Sequence, residues 1–486
     1  MRKYGWPALL AAGSLAFAWP ALAKAPAHPA AAKATFGTFG FDTAGMDRSV
    51  APGADFGAYA GGTYLRTLVI PADRSDYGMF TRLRDLSQER TRTIVESAAA
   101  RKNNEPGSEA QKVGDTYASF LDEAAIEAKG LAPLQPYLDA VAAITDRTQL
   151  AQAFGKATRQ GVNVALGIGP LQDLKNPEVI AVYVGQGGLQ LPDRDYYLDT
   201  KNPKFAELRV KYLAHIGAML RLAGFDRPEE RAQGIFALET KLAEVHWSKV
   251  EERQMDKLYN PVLRTDLEAA YPGVAWTALL TAMGLQDQKQ LIVAHPSAIK
   301  GTAKLMASEP LETWKDYLAF HTLKAAAPFL PKAIVAENFA FDGKILSGQP
   351  ELQPRWKRGV DLTTSALGEA VGKLYVAQYF PPEAKAQADL LVKYVIKAMD
   401  QRLAKLTWMA PQTKAAARAK LAKFTPKIGY PGTWRNYAAL EVKAGDALGN
   451  AMRATEFEFQ RQVEKIGKPI DRTEWEMTPM TVNAYA

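Results

Sequence analysis

From Met79 onward apolar residues recur at helical spacing, with Phe80, Leu83, Leu86 and Ile94 on one side, which predicts an amphipathic helix. Ser108-Glu-Ala-Gln111 has the form of a capping box and starts a second helix. Its expected buried stripe is Val113, Tyr117, Phe120, Leu121 and Ala124, and Gly130 is a natural stop. A third pattern carries Leu134, Leu138, Val141 and Ile144, and a fourth runs from Thr148 to Gly161. Long helical patterns resume over Phe205–Leu222, Pro228–Arg253, Leu311–Phe329 and Glu383–Leu406. No period of twenty to fifty residues repeats, which argues against a solenoid.

Strand patterning is sparse. Val162–Ile168 and Glu178–Val184 favour β structure and are separated by Asp173-Leu-Lys-Asn-Pro177, which predicts a small hairpin within a helical lobe. Met46–Ile70, with turn signals at Pro52-Gly53 and Gly61-Gly62, reads as irregular or short-strand chain. The Gly-rich run Gly185–Tyr197 is followed by no Lys-Ser/Thr and opens no G-x-G-x-x-G helix, so its glycines are assigned to turns. Near the end, Met480, Val482 and Ala484 alternate with Thr481, Asn483 and Tyr485, as in a strand. Asn483 on an edge strand could hold the N–H and C=O of an extended peptide laid alongside. The same residue near a chain end also reads as a turn former or a solvated side chain. The expected fold class is mainly α, a large multi-helix lobe with a few short strands and hairpins.

Composition narrows the class. At 47% hydrophobic and 23% charged residues, the 486-residue chain is neither disordered nor membrane-embedded. The first 23 residues join Arg2 and Lys3 to an apolar run from Trp6 to Trp19 and a small-x-small Ala21-Leu22-Ala23, the three parts of a secretory signal peptide. Cleavage is expected after Ala23, residues 24–45 form a flexible leader, and the location is periplasmic or secreted. No later segment offers the roughly twenty apolar residues of a membrane span. With no cysteine, neither disulfides nor thiolate metal ligands can form. The formal charge of +8 is scattered and belongs to no nucleic-acid module, so nucleic acid is not an expected partner.

Candidate chemistry is thin. The five histidines are His28, His215, His246, His295 and His321, and neither H-E-x-x-H nor H-x-x-E-H occurs. His246 shares its helical face with Leu242 and Val250, so it reads as a packed core histidine, as do His215 and His321; His28 falls in the leader. G-x-S-x-G is absent. Glu239 with Glu244, and Asp193 with Asp195, read as caps, turns or arginine partners rather than as a glycosidase pair.

Several spaced motifs carry a resemblance. Ile70-Pro-Ala-Asp-Arg, Gly187-Gly-Leu-Gln-Leu-Pro-Asp-Arg-Asp-Tyr-Tyr197 and Leu258-Tyr-Asn-Pro261 resemble the neprilysin and endothelin-converting-enzyme family of zinc endopeptidases. Arg355-Trp-Lys-Arg, Ala366-Leu-Gly-Glu-Ala-Val-Gly-Lys-Leu-Tyr375, Leu406-Thr-Trp-Met409, Thr413-Lys414 and Lys427-Ile-Gly-Tyr-Pro431 follow in the family's order. The resemblance implies a helical capping domain over residues 46–434, then a connector and the first strand of a truncated thermolysin-like catalytic lobe over 435–486. It also implies that Asn483 and Ala484, with Tyr485, form the substrate-binding strand. The position after them, aromatic in the family, is Ala486 here. In complete members the zinc ligands and catalytic groups lie beyond that strand, so no residue of this chain is assigned a catalytic or metal-binding role. The expectation is therefore a chain that is inactive alone, lacks zinc, and has peptides and a separate catalytic half as partners. The alternative is a non-catalytic periplasmic peptide-binding protein. Trp475, Met477 and Val482 are expected to be short of packing partners.

Overall fold

A computed structural model describes residues 43–485, so the expected signal peptide, nearly all of the leader and His28 lie outside the described residues. The chain divides into two compact units, Met1–Ile70 and Pro71–Ala486.

In the first unit, helix α1 (Phe56–Thr67) occupies what reads in sequence as irregular chain. Asp55 supplies the missing signal: its carboxylate accepts the Ala58 N–H at 2.8 Å and caps the helix. Gly62 admits the preceding loop, since a Cβ there would lie 3.0 Å from Asp47 Cβ. Thr63 Oγ1 donates to Met46 O at 2.9 Å and Arg66 pairs with Asp47, so contacts across the segment outweigh the glycines' low helix propensity.

The second unit opens with α2 (Met79–Ala100) and α3 (Glu109–Leu121). Ser108 Oγ accepts the Gln111 N–H at 3.2 Å, as the capping pattern predicts. The helix does not run through to Gly130. Asp122 ends α3 and caps α4 (Glu123–Lys129) through Ala125 N–H at 2.9 Å, and this restart turns Ala124 to solvent and Ile126 inward. α5 (Gln135–Ala142) and α6 (Arg147–Arg159) follow, with Leu134, Leu138, Val141 and Ile144 all buried as their spacing predicts.

β1 (Leu166–Gln172) and β2 (Ile180–Gln186) form the antiparallel hairpin, paired from Leu166↔Gln186 to Gln172↔Ile180. With β3 (Asn260–Leu263) and β4 (Gln290–Val293) they make a four-stranded sheet in the order β1-β2-β4-β3, β2 and β4 being parallel. Between the strands lie α7 (Pro203–Leu222) and α8 (Pro228–Val245). The apolar pattern predicts that α8 runs on to Arg253, but it stops at His246. Gln186 of β2 holds the next peptide unit, its Oε1 accepting Trp247 N–H at 2.7 Å and its Nε2 donating to Trp247 O at 3.3 Å.

α9 (Leu311–Ala326) passes through the main core, burying Trp314, Tyr317 and Phe320 against Phe154, Tyr212 and Trp276. A second core joins α2 and α3 to α10 (Arg355–Tyr379) through Ile94, Val113, Tyr117, Val360 and Val371, and it takes in Met480. α11 (Pro382–Lys405) and α12 (Pro411–Ala422) form a helical hairpin in which no residue is buried. It is closed by Arg418, whose Nε and Nη2 donate to Asp400 at 2.6 and 2.9 Å. α13 (Ala447–Val463) leads to the last described segment. The architecture is mainly α with one small sheet, as expected.

Candidate functional site

α10 is the floor of the site. Its backbone breaks at Leu367, where φ is −132° and ψ is 35°, and the Glu369 N–H released from the helix ladder donates to Tyr437 Oη at 3.1 Å. Beside the break, Gly368 and Gly372 leave the helix surface bare. A Cβ at Gly368 would lie 2.7 Å from Thr478 Cγ2, and one at Gly372 would lie 2.8 Å from Pro479 Cδ. Residues 478–480 therefore lie directly on the helix backbone. α2 holds them from the other side, Ser87 Oγ donating to Met480 O at 2.7 Å while the Met480 side chain enters the second core.

A relay of charges fixes the approach to this segment. The Glu369 carboxylate accepts Arg435 N–H at 2.7 Å, and Arg435 Nη1 lies 3.1 Å from Glu458 Oε2. Glu458 also pairs with Arg461, and Arg461 pairs with Glu474, which Lys465 meets at 2.6 Å. These contacts hold the Glu474 carboxyl below its usual range despite partial burial, so the anchor is ionised at neutral pH.

Between α2, α10 and residues 475–483 lies a cavity of about 700 Å³. α2 contributes Arg84, Ser87, Gln88 and Thr91, and α10 contributes Asp361, Thr364 and Ser365. Its polar groups are unevenly committed. Arg74 pairs with Asp85 and Arg435 with two carboxylates, whereas the partner of Arg84 Nη2 is the Thr81 hydroxyl at 3.1 Å. Asp361 accepts Gln88 Nε2 at 2.7 Å, and burial pushes its carboxyl above the usual range. Thr364 Oγ1 is buried without a hydrogen-bond partner.

Asn483 lines this cavity and Ala484 follows it, both exposed. The alternation over Met480–Tyr485 predicts a strand, but residues 481–485 have no regular structure and pair with no strand among the described residues. Alternation buries a face only when a neighbouring strand supplies the ladder, and here the segment rests on helices. Asn483 Oδ1 instead accepts the Ala484 N–H at 2.9 Å, a local turn contact that leaves its amide N–H₂ without a partner among the described residues. Tyr485 Oη accepts the Glu476 N–H at 3.2 Å and folds the end of the segment back. Trp475, Met477 and Val482 are half-buried.

Sequence reasoning missed Arg84, Gln88, Asp361 and Thr364. The available signal was polar residues at helical spacing, Arg84, Gln88 and Thr91 on α2 facing Asp361, Thr364 and Ser365 on α10. His215, His246 and His321 lie elsewhere, as core groups. His321 Nε2 meets Glu239 Oε1 at 2.8 Å, His215 Nδ1 meets Glu337 Oε1 at 2.9 Å, and His246 is buried at the end of α8. Glu239 caps no helix and meets no arginine; its Oε2 accepts both Tyr197 Oη and Tyr212 Oη, at 2.7 and 2.8 Å. Among the described residues no three His, Asp or Glu side chains come together to hold a metal ion.

Comparison with known proteins agrees with this architecture. The chain is 28% identical to endothelin-converting enzyme-like 1 of Mus musculus over 470 residues, covering 92% of this chain and 60% of the relative. It is 26% identical to endothelin-converting enzyme 1 of Rattus norvegicus over 459 residues, with 90% and 60% covered. The chain thus spans about 60% of the length of the curated relatives it matches. Among solved structures, the zinc metalloprotease Zmp1 of Mycobacterium tuberculosis, in complex with an inhibitor, superposes with a TM-score of 0.85 at 38% identity, covering 91% of this chain and 67% of that one. PepO from Lactobacillus rhamnosis shares the fold, with a TM-score of 0.77 at 20% identity over 86% of this chain and 66% of that one. Residues 52–431 match the N-terminal profile of Peptidase family M13, and with most of its length accounted for in this way, the chain belongs to that family.

Proposed function

We propose that this chain is the substrate-capping part of an exported neprilysin-type endopeptidase, and that the cavity over α10 receives a stretch of peptide. The observation that carries the reading is the placement of Asn483: it lines a cavity that also holds Arg84 and the Thr364 hydroxyl, which has no partner among the described residues. These groups supply donors for a peptide carbonyl and a cation for a carboxylate. Helical capping over residues 46–434 and a connector from 435 onward complete the assignment, with export directed by the first 23 residues.

Zinc is the metal of complete family members, and the described residues do not fit it, because no converging set of three ligating side chains is present. Hydrolysis is accordingly assigned to a zinc-bearing part corresponding to the further length of the relatives, and peptide capture to this chain. Calorimetry of the purified chain against an oligopeptide library tests the reading. Saturable binding is expected, weakened about tenfold by Asn483→Ala, the loss of one or two peptide hydrogen bonds. Chelator-sensitive cleavage of a short peptide by the chain alone would overturn it.

A second reading, a peptide-binding protein without any catalytic partner, draws on the same uncommitted polar groups. It differs in one outcome: adding a zinc-bearing M13 catalytic lobe would produce no cleavage of the captured peptide.

A further inference from the structure

The sheet has a second cavity, of about 490 Å³, on the face turned away from the main core. Leu166 and Ile168 of β1 point into the core, and Val182 and Val184 of β2 do the same. The opposite face presents Gly167, Gly169 and Leu171 on β1 and Tyr183 and Gly185 on β2. Three glycines at alternating positions leave that face bare where a strand ordinarily carries branched or aromatic side chains. In strand interiors such glycines mark close approach by another group.

Packing accounts for two of them. A Cβ at Gly185 would lie 3.3 Å from His295 Nδ1, and one at Gly167 would lie 3.3 Å from Gln186 O. At Gly169 no atom of the described residues stands within 4 Å, and the backbone there requires no glycine. The space above Gly169 is therefore open for a reason other than crowding by the described residues. Its rim is apolar as well: Leu171, Leu174 and Met255 are each about half exposed or more, at 58, 48 and 55%. The walls are fixed, since Tyr183 Oη accepts the Leu174 N–H at 3.0 Å and Tyr259 Oη donates to Asp173 Oδ2 at 3.0 Å.

Three side chains of the lining carry polar groups, and two of these are engaged: Gln172 Nε2 donates to Pro177 O at 2.7 Å and Tyr183 Oη accepts the Leu174 N–H, which leaves His295 to select among ligands. The Gln186 N–H donates to His295 Nδ1 at 3.3 Å, which places the ring proton on Nε2. Nε2 lies 3.9 Å from Glu252 Oε1, beyond hydrogen-bond distance, so its N–H is uncommitted. Burial lowers the basicity of this ring, so the lining is uncharged at neutral pH.

We propose that this cavity is a binding site for a small, uncharged, largely apolar molecule, seated on Gly169 and bearing one acceptor for the His295 Nε2–H. Its volume lies within the range of small-molecule sites, and a mainly apolar lining with a few placed polar groups is their common composition. The site is separate from the cavity over α10 and does not depend on the peptide-binding reading.

The test uses the purified full chain and prodan, a neutral naphthyl ketone whose emission shifts to the blue in apolar surroundings. Saturable binding at one site is expected. Gly169→Leu fills the cavity from its floor in a backbone conformation open to any residue, and Met255→Asp charges the exposed rim without touching the core. Each is expected to weaken binding at least tenfold, with circular dichroism and the thermal midpoint retained. Should Gly169→Leu fail to fold, Met255→Asp decides. His295→Phe is expected to weaken prodan about tenfold while leaving the hydrocarbon 2-isopropylnaphthalene unchanged. No saturable binding by the unmodified chain, or binding untouched by both Gly169→Leu and Met255→Asp, overturns the site. Equal effects of His295→Phe on ketone and hydrocarbon overturn the role of the Nε2–H.

Discussion

Glu239 has no solvent-exposed surface and serves three partners: its Oε2 accepts from Tyr197 and Tyr212, and its Oε1 faces His321 Nε2. His321 Nδ1 in turn lies 2.5 Å from the carbonyl of Asn163 and 3.1 Å from Gln190 Nε2, so the ring is held on both sides. The set of three partners predicts a contrast between two substitutions. Glu239→Ala strands three buried partners and is expected to cost about 3–5 kcal/mol in urea denaturation. Glu239→Gln can accept from both tyrosines and donate to His321, and is expected to cost less than about 1.5 kcal/mol. A second expectation concerns His246, held down at about 4 from an ordinary 6.5, first by burial and then by the neighbouring His295. Because the folded form resists protonation, the unfolded chain takes up the proton first as the pH falls. The stability contributed by the neutral ring is thus complete above pH 6.5 and lost between there and about pH 4, by up to about 3 kcal/mol. Urea midpoints measured across that range are expected to fall with pH, and less steeply in His246→Phe.

At the scale of elements, the segment over α10 depends on bare backbone. Gly372→Val is expected to push residues 478–480 off the helix, because its Cβ alone would meet Pro479 at 2.8 Å. Limited proteolysis is expected to show faster cleavage within 474–485 and only a small change in thermal midpoint, since the main core lies elsewhere; unchanged cleavage would contradict the close seating. Elements whose pattern was local were legible in the sequence. The start of α3 and the whole of α5 appear where capping and spacing put them, and the hairpin forms around the predicted turn, although β1 begins four residues later than its pattern and α3 stops at Leu121 instead of running to Gly130. Elements decided by distant partners were not. α1 overrides three glycines through contacts to the loop before it, α8 ends early because Gln186 takes the Trp247 peptide, and the alternation after Pro479 forms no strand because helices lie beneath it. The site was half visible for the same reason. Asn483 carried a motif, whereas the polar spacing on α2 and on α10 marks each helix singly, and Arg84 and Asp361 come to line one cavity only once the two helices pack.

Across the whole molecule the largest departure from ordinary packing is the α11–α12 hairpin. Leu391 and Val395 are 64 and 60% exposed one turn apart, with Leu390, Tyr394 and Met399 also open, so one side of α11 presents an apolar surface to water. Contiguous surface of this kind favours association. Leu391→Glu with Val395→Glu is expected to reduce light scattering of the concentrated chain without lowering its thermal midpoint; unaltered scattering would place the sticky surface elsewhere. A helical arm that puts nothing into its own core owes its rigidity to whatever it touches. Hydrogen exchange over residues 382–422 is therefore expected to act as a gauge, fast while the chain is alone and slowed once a neighbour settles along it.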